Sequence, residues 1–207
     1  MKRLLSAIFA VLFVAGSLLV NGIAAEEGEN LVAAKKLYST KKVIVNESLD
    51  TLQADLFEAA LNNSSDKKPC IVYIPADTTY VIKSAKAYKK GGIEAGYKVG
   101  VYVPENVILV AEDDTVIKAG ASMTRLVMVS GSVYGGKYDG ASKASFPLSY
   151  KNGTTFEKTK SGTRQVDGNI EYTDVTGATQ CGIKAIGCKN IRICFNNIHD
   201  CKTANAC

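Results

Sequence analysis

The alternation of apolar and polar residues near the end of the chain repeats. Residues 169–175 (NIEYTDV) are followed by residues 190–198 (NIRICFNNI) at an offset of 21 to 23 residues. Looser copies lie upstream, at 106–117 and 126–133. Short apolar strands that recur every 20 to 50 residues or so are typical of a solenoid, in which each repeat buries its apolar face against its neighbours. The pattern therefore predicts a solenoid of short strands.

Upstream of these repeats the pattern predicts one helix and several strands. Ser48 is a good N-cap, and Leu49, Leu52 and Leu56 then lie on one face of a helix that runs to about Leu61. The first coil of a solenoid exposes an apolar core and open strand edges, so an amphipathic helix at this place predicts a cap. Strands are predicted at 43–45, 70–74, 79–82 and 99–103, and the stretches 84–97 and 142–168 are interpreted as loops.

The N-terminal residues have the three parts of an export signal. Lys2 and Arg3 precede an apolar run to about residue 20, and small residues follow, so cleavage is expected after Ala24 or Ala25. The alternative is an uncleaved membrane anchor, because the run approaches the ~20 apolar residues that span a bilayer. We predict a protein that is secreted or held at the cell surface, with a signal peptide at 1–25, a flexible lead-in at 26–42 and an incomplete repeat domain at 43–207.

Charge argues against a nucleic-acid partner. Loss of Lys2 and Arg3 with the signal lowers the formal net charge of +5 by two. The remaining lysines are dispersed in pairs, which are typical of a solvated face. Apart from the signal segment, no stretch of the sequence is long and apolar enough to predict a membrane contact.

Five of the six cysteines lie between residues 181 and 207. In an exported chain they are candidates for disulfides. Alternatively, stacked repeats place them at equivalent buried positions, where cysteine acts as a small hydrophobe. Zinc is disfavoured, because there is no C-x-x-C motif and His199 is the only histidine. The residues themselves thus predict no metal and no cofactor.

A resemblance to a known family covers about residues 45–207. The helix SLDTLQADLFEAALNN, followed by CIVYIPADTTYVI, VYVPENVILVAEDDTVIKA and VYGGKYDG, resembles the entry segment of right-handed parallel β-helix proteins of the pectate-lyase-like superfamily. The resemblance implies an all-β, right-handed parallel β-helix with an N-terminal amphipathic capping helix. It also implies that Cys207 lies partway through a coil, so that the fold is truncated at its C-terminal end.

In such a coil Ile191 and Ile193 are expected to point inward, and Asn196 or Asn197 to lie in the sharp turn. Asparagines of successive turns would then hydrogen-bond along the axis as a ladder. A leucine-rich repeat also fits residues 188–198. That alternative is disfavoured, because the connector at 199–205 has no large apolar residue to back the strand.

Members of the superfamily are mostly secreted enzymes that cut polysaccharides, by hydrolysis between two acids or by elimination from uronates. The resemblance implies an exported carbohydrate-active protein, related to polysaccharide lyases or glycoside hydrolases, that acts on or binds polysaccharide, acidic polysaccharide included. Calcium is suggested by the resemblance alone. The Asn-Thr-Asp and Gly-His-Gly segments of the family hydrolases have no full counterpart here, so no catalytic residue is assigned. The alternative is a non-catalytic surface or adhesive β-helix that binds glycans.

Few residues are candidates for chemistry. The neighbouring carboxylates of Asp113 and Asp114 point to different faces and so favour a turn. Asp139 lies in a glycine-rich turn and is explained by turn chemistry. His199 and Asp200 are a candidate acid–base pair. Self-association through the open terminal coil is expected, because an unfinished coil leaves strand edges unpaired. Six tyrosines would either line a sugar-binding groove or pack within strands: Tyr73, Tyr80, Tyr102, Tyr134, Tyr138 and Tyr150.

Overall fold

The computed structural model describes residues 27–62, 69–87, 97–150, 157–159 and 162–206. The predicted signal peptide lies outside these residues, as do parts of both predicted loops. The helices are α1 (Glu29–Tyr38) and α2 (Leu49–Asn62). The strands are β1 (Val43–Val45), β2 (Cys70–Ile74), β3 (Thr79–Ile82), β4 (Lys86–Ala87), β5 (Lys98–Val103), β6 (Val107–Ala111), β7 (Val116–Ala119), β8 (Met123–Val129), β9 (Ser132–Tyr134), β10 (Lys137–Asp139), β11 (Ala144–Tyr150), β12 (Glu157–Thr159), β13 (Gly162–Glu171), β14 (Asp174–Thr176), β15 (Cys181–Lys184), β16 (Cys188–Cys194), β17 (Asn197–Ile198) and β18 (Ala204–Ala206).

The strands form three sheets that are almost wholly parallel. Sheet A has the order β1-β2-β6-β9-β13-β16, sheet B the order β3-β7-β10-β14-β17, and sheet C the order β5-β8-β11-β15-β18. The short strands β4 and β12 add antiparallel edges to β5 and β13. After β1 the chain visits sheets A, B and C in turn, so that each strand pairs with its equivalent one repeat later.

We number these three-strand repeats from 1 (β2, β3 and β5) to 5 (β16, β17 and β18). The arrangement agrees with the prediction of a mainly β, parallel fold and is compatible with a β-helix solenoid. A leucine-rich repeat would place its strands in a single sheet, and that alternative is wrong.

One cluster of buried apolar side chains draws on all three sheets. In β2, β3, β6 and β7 alternate residues contribute to it, as the period of two in a β-strand requires. In sheet A the row Val72, Leu109, Val133 and Ile170 follows the strand register from repeat 1 to repeat 4. Each fully buried aliphatic side chain stabilises the fold by about 1.5–3 kcal/mol. The core therefore fixes which residues of neighbouring repeats lie side by side.

Helix α2 packs against the first repeats. Its residues Leu52, Leu56 and Ala59 are buried in the main cluster. The Ser48 hydroxyl accepts a hydrogen bond from the amide of Asp50 at 3.3 Å, close to the N-terminus of the helix. The predicted helix over 48–61 is thus confirmed, with its apolar face toward the core.

Helix α1 was not predicted, and it lies within the segment expected to be a flexible lead-in. Its residues Leu31 and Ala34 are buried in a second cluster, against side chains of β2 and β6 that alternate with the core residues. The Glu112 carboxylate accepts hydrogen bonds from the amides of Asn30 at 3.1 Å and Leu31 at 3.2 Å. An apolar sheet face and a distant carboxylate therefore stabilise this helix.

Two further expectations are wrong. The predicted loop at 142–168 contains β11 and the start of β13. Of the predicted offsets of 21 to 23 residues, 23 is found throughout repeats 4 and 5 and 21 is wrong, because Ile170 pairs with Ile193 and Asp174 with Asn197. Ile191 consequently lies beside Gly168, not beside Ile170.

Candidate functional site

The turn from sheet A to sheet B begins with a left-handed residue in repeats 3, 4 and 5. The strand register makes Gly135, Tyr172 and Phe195 equivalent, with φ angles of 73°, 57° and 59°. This left-handed region favours glycine, and bulky residues are uncommon there. Tyr172 and Phe195 nevertheless occupy it, and their side chains are 45% and 66% exposed. The turn thus presents two aromatic side chains on the surface.

Asn196 holds this turn in place. Its Oδ1 accepts hydrogen bonds from the amide and the hydroxyl of Thr173, at 2.9 and 2.8 Å, and its Nδ2 donates to the Ile170 carbonyl at 2.9 Å. Asn196, and not Asn197, is therefore the turn asparagine. Its equivalent in repeat 4 is a threonine, so the expected ladder of stacked asparagines is wrong at this turn.

Three aromatic rings lie next to one another along repeats 3 to 5, and two of them are exposed. The Tyr172 and Phe195 rings lie 4.9 Å apart at an interplanar angle of 17°, and the buried Tyr134 lies 5.0 Å from Tyr172 at 42°. Neighbouring strands are about 4.8 Å apart, so the equivalent side chains of Tyr172 and Phe195 meet at stacking distance. We refer to Tyr134, Tyr172 and Phe195 as the aromatic stack.

A shallow pocket of about 370 Å³ lies beside the stack. Tyr172 and Phe195 form its aromatic side. Asn30 Nδ2 donates hydrogen bonds to the Ala111 carbonyl at 2.9 Å and to Asp113 Oδ1 at 2.8 Å, which brings the start of α1 to the rim. The described residues that line the pocket are Asn30, Asp113, Gly136, Tyr172, Thr173, Asp174, Phe195 and Asn197.

Charged side chains continue from the pocket across sheet B. Lys118 Nζ lies 2.9 Å from Asp139 Oδ2, and Lys137 Nζ lies 3.6 Å from Asp174 Oδ2. The strand register places Lys137, Asp174 and Asn197 side by side, and Asn197 Nδ2 donates to Asp174 Oδ1 at 3.2 Å. These pairs are partly exposed, so each contributes only about 0–1 kcal/mol to stability.

His199 bridges two carboxylates. Its Nδ1 lies 2.8 Å from Asp200 Oδ2, and its Nε2 lies 3.0 Å from Asp174 Oδ1. Hydrogen bonding to Asp200, and then to Asp174, raises the pKa of His199 above its usual value. Two acceptors suit the imidazolium form, in which both ring nitrogens donate. The predicted contact between His199 and Asp200 is present, and Asp174 is a partner that the sequence did not indicate.

The other candidate residues take structural positions. Asp113 and Asp114 form a turn after β6, as expected. Asp139 Oδ1 accepts a hydrogen bond from the Ala141 amide at 2.7 Å, which confirms the predicted turn chemistry. Five of the six candidate tyrosines are buried, which favours the packing interpretation: Tyr73, Tyr80, Tyr134, Tyr138 and Tyr150. Tyr134 is the member of this set that belongs to the aromatic stack.

The cysteines do not stack on one another where the register is described. Cys181 is disulfide-bonded. Cys188 pairs with Gln165, and Cys194 pairs with Glu171, whose carboxylate accepts from its thiol at 3.2 Å. Burial raises the pKa of the free Cys188 to about 11, so this thiol stays protonated near neutral pH. Stacked cysteines are therefore a wrong expectation at these positions.

Metal and membrane sites are not found in the part of the chain that the structure describes. Within it, no group of three or more histidine, cysteine, aspartate or glutamate side chains is arranged to hold a metal ion. None of its helices has the length and apolar character that a membrane span requires.

Tyr172 and Phe195 were missed by the sequence analysis, although a consistent 23-residue offset would have aligned them. Their exposure depends on the left-handed turn, which the residue types do not indicate. Comparisons with models of protein families, with curated proteins and with solved structures each found no match.

Proposed function

We propose that this chain is an exported β-helix protein that binds polysaccharide through the aromatic stack and the pocket beside it. The observation that supports the proposal is the parallel stacking of two exposed rings, Tyr172 and Phe195, at the edge of a polar pocket. Pyranose rings have apolar faces that pack on aromatic rings, while their hydroxyl groups need hydrogen-bond partners. Asn197, Asp174 and Asp113 are such partners at the same pocket.

The finer fold assignment is part of the same proposal. A right-handed parallel β-helix of the pectate-lyase-like type accounts for three parallel sheets that the chain visits in turn. Helix α2 would be its cap, since Leu52, Leu56 and Ala59 contact the core next to repeat 1. A solenoid needs such a cover, because its end otherwise exposes apolar side chains.

Binding is favoured over cleavage. Hydrolysis needs a protonated acid and an ionised carboxylate on either side of the scissile bond. Asp139 and Asp174 project from neighbouring strands of sheet B, but each lies within ion-pair distance of a lysine. Both carboxylates are thus engaged in surface ion pairs, a structural role that supports binding over cleavage. A lyase or hydrolase related to the superfamily is the alternative that the experiment below addresses.

The test is a binding assay on purified protein with a panel of neutral, acidic and amino-sugar oligosaccharides. Phe195→Ala removes the most exposed ring and is expected to weaken binding about tenfold, because a stacking contact contributes about 0.5–1.5 kcal/mol beyond its buried area. Phe57→Ala is the matched control, since Phe57 is 45% exposed on α2 and lies outside the described lining of the pocket. Equal binding by wild type, Phe195→Ala and Tyr172→Ala would contradict the proposal.

Two parallel measurements address the rest of the proposal. Reducing-end and unsaturated-product assays on the same panel distinguish binding from cleavage, and sustained release of oligosaccharides would favour the enzymatic alternative. Sequencing of the N-terminus after expression with residues 1–25 present tests export, and cleavage after Ala24 or Ala25 is the expected result.

A further inference from the structure

We infer that the pocket beside the aromatic stack selects a sugar unit that carries an ammonium group, such as glucosamine, over one that carries a carboxylate. The inference rests on the proposed function, because it concerns the same pocket. It goes further by assigning the chemical class of the bound sugar, and it differs from the acidic polysaccharide that the family resemblance implies.

The charged side chains that line the pocket are acidic. Among the described lining residues they are Asp113 and Asp174, and the remaining polar ones are neutral. Asp174 is offset by Lys137 at 3.6 Å and by the His199 ring at 3.0 Å. Discrimination of ligand charge therefore rests on Asp113, which repels a carboxylate ligand and attracts an ammonium group.

Asp113 is the carboxylate without a cation among the described contacts. Its partner there is the neutral amide of Asn30, at 2.8 Å. The N-terminal amides of α1 do not compensate its charge, because Glu112 accepts from those of Asn30 and Leu31. Asp113 is also exposed, so a bound ammonium group reaches it without a desolvation cost as large as that of a buried pair.

The aromatic rings discriminate in the same direction. The face of an aromatic ring is negative, so it attracts a cation within about 6 Å and repels a carboxylate. Tyr172 is flanked by Tyr134 and Phe195, so the ring that offers an open face is Phe195, which lines the pocket together with Asp113 and is 66% exposed. Two independent features, a carboxylate and an aromatic face, thus favour the same ligand charge.

The experiment compares three hexasaccharides by titration calorimetry on the purified protein at pH 6: glucosamine, N-acetylglucosamine and galacturonate. We expect the glucosamine hexamer to bind on the order of tenfold more tightly than the galacturonate hexamer. Asp113→Asn should reduce that preference severalfold and leave the affinity for the neutral N-acetylglucosamine hexamer unchanged. Asp139→Asn is the matched control, because Asp139 pairs with Lys118 outside the described pocket lining. The wild-type preference should also shrink at high salt, a readout that needs no variant.

The outcomes separate the inference from the proposed function. Equal or tighter binding of galacturonate overturns the inference, as does an unchanged preference in a folded Asp113→Asn variant. If all three hexamers bind with equal affinity and Phe195→Ala weakens the binding of each, the pocket binds glycans without selecting their charge. The proposed function then stands without the inference. If Phe195→Ala changes none of the affinities, both the inference and the proposed function fail.

Discussion

Replacement of Asn196 by alanine removes the three hydrogen bonds that hold the turn beneath the aromatic stack. The group left without a described partner is the Thr173 amide, which belongs to a residue 2% exposed. The Ile170 carbonyl loses the Asn196 donor but stays in the parallel ladder between β13 and β16. An unsatisfied buried polar group costs about 1–3 kcal/mol, which is the predicted destabilisation. The Thr173 hydroxyl adds little, because it can rotate toward another acceptor. The corresponding fall in melting temperature is roughly 2–12 °C.

The neighbouring asparagine is the matched control for this prediction. Asn197 is exposed and makes its hydrogen bond at 3.2 Å to a carboxylate on the surface. Asn197→Ala should therefore change the free energy of unfolding by no more than about 0.5 kcal/mol. Urea denaturation of both variants measures the difference, with glycan affinity as a second readout. If the two variants differ by less than 0.5 kcal/mol or so, the hydrogen bonds of Asn196 do not stabilise the turn, and the reasoning is wrong.

Three further predictions concern pH, burial and association. The pKa of His199 is raised in the folded protein, so its contribution to stability is complete below the unfolded-state pKa of 6.5 and is lost as pH rises through the folded-state pKa. Because the chain has one histidine, an NMR titration of its ring resonances measures this pKa directly, and Asp200→Asn should lower it. Tyr138→Phe should stabilise the protein by about 1 kcal/mol, since the buried Tyr138 hydroxyl has no described partner. Tyr80→Phe should destabilise it by a similar amount, because Tyr80 donates a hydrogen bond to Asn46 Oδ1 at 2.7 Å. The opposite ranking of the two variants in urea denaturation would contradict both predictions. A polypeptide of residues 27–207 should self-associate through repeat 5, where Ile193 is 37% exposed and no described strand covers the outer edge of β16. Ile193→Lys should reduce its associated fraction in light scattering, and a monomer at high concentration would refute this.

Elements with local signals could be predicted from the sequence. The apolar run of β2, closed by Pro75, and the spacing of Leu52 and Leu56 after Ser48 depend only on residues that are neighbours along the chain. Helix α1 has few such signals. It buries Leu31 and Ala34, and its N-terminal amides bond to Glu112, which lies more than 80 residues away along the chain. Its stability comes from docking on a sheet face that does not exist before the fold forms.

Strand β11 shows the same limit. Its apolar residues do alternate with Ser145, Pro147 and Ser149, but Pro147 cannot donate to a strand ladder, and a proline argues against a central strand. It is held by parallel pairing with β8 on one side and β15 on the other. A central strand of this kind is specified by its neighbours more than by its own residues.

The sequence by itself determined a repeating, strand-based fold, because short segments of the chain carry the apolar pattern of strands; their parallel arrangement was implied by the family resemblance. Only the tertiary structure decided the candidate site. Tyr172 and Phe195 are 23 residues apart and become stacked because packing of Ile170 and its neighbours sets the register of β13 and β16, while Asn196 holds the left-handed turn open to solvent. A one-residue slip in that register would turn side chains to the opposite face, so the site exists only once the core has fixed the pairing.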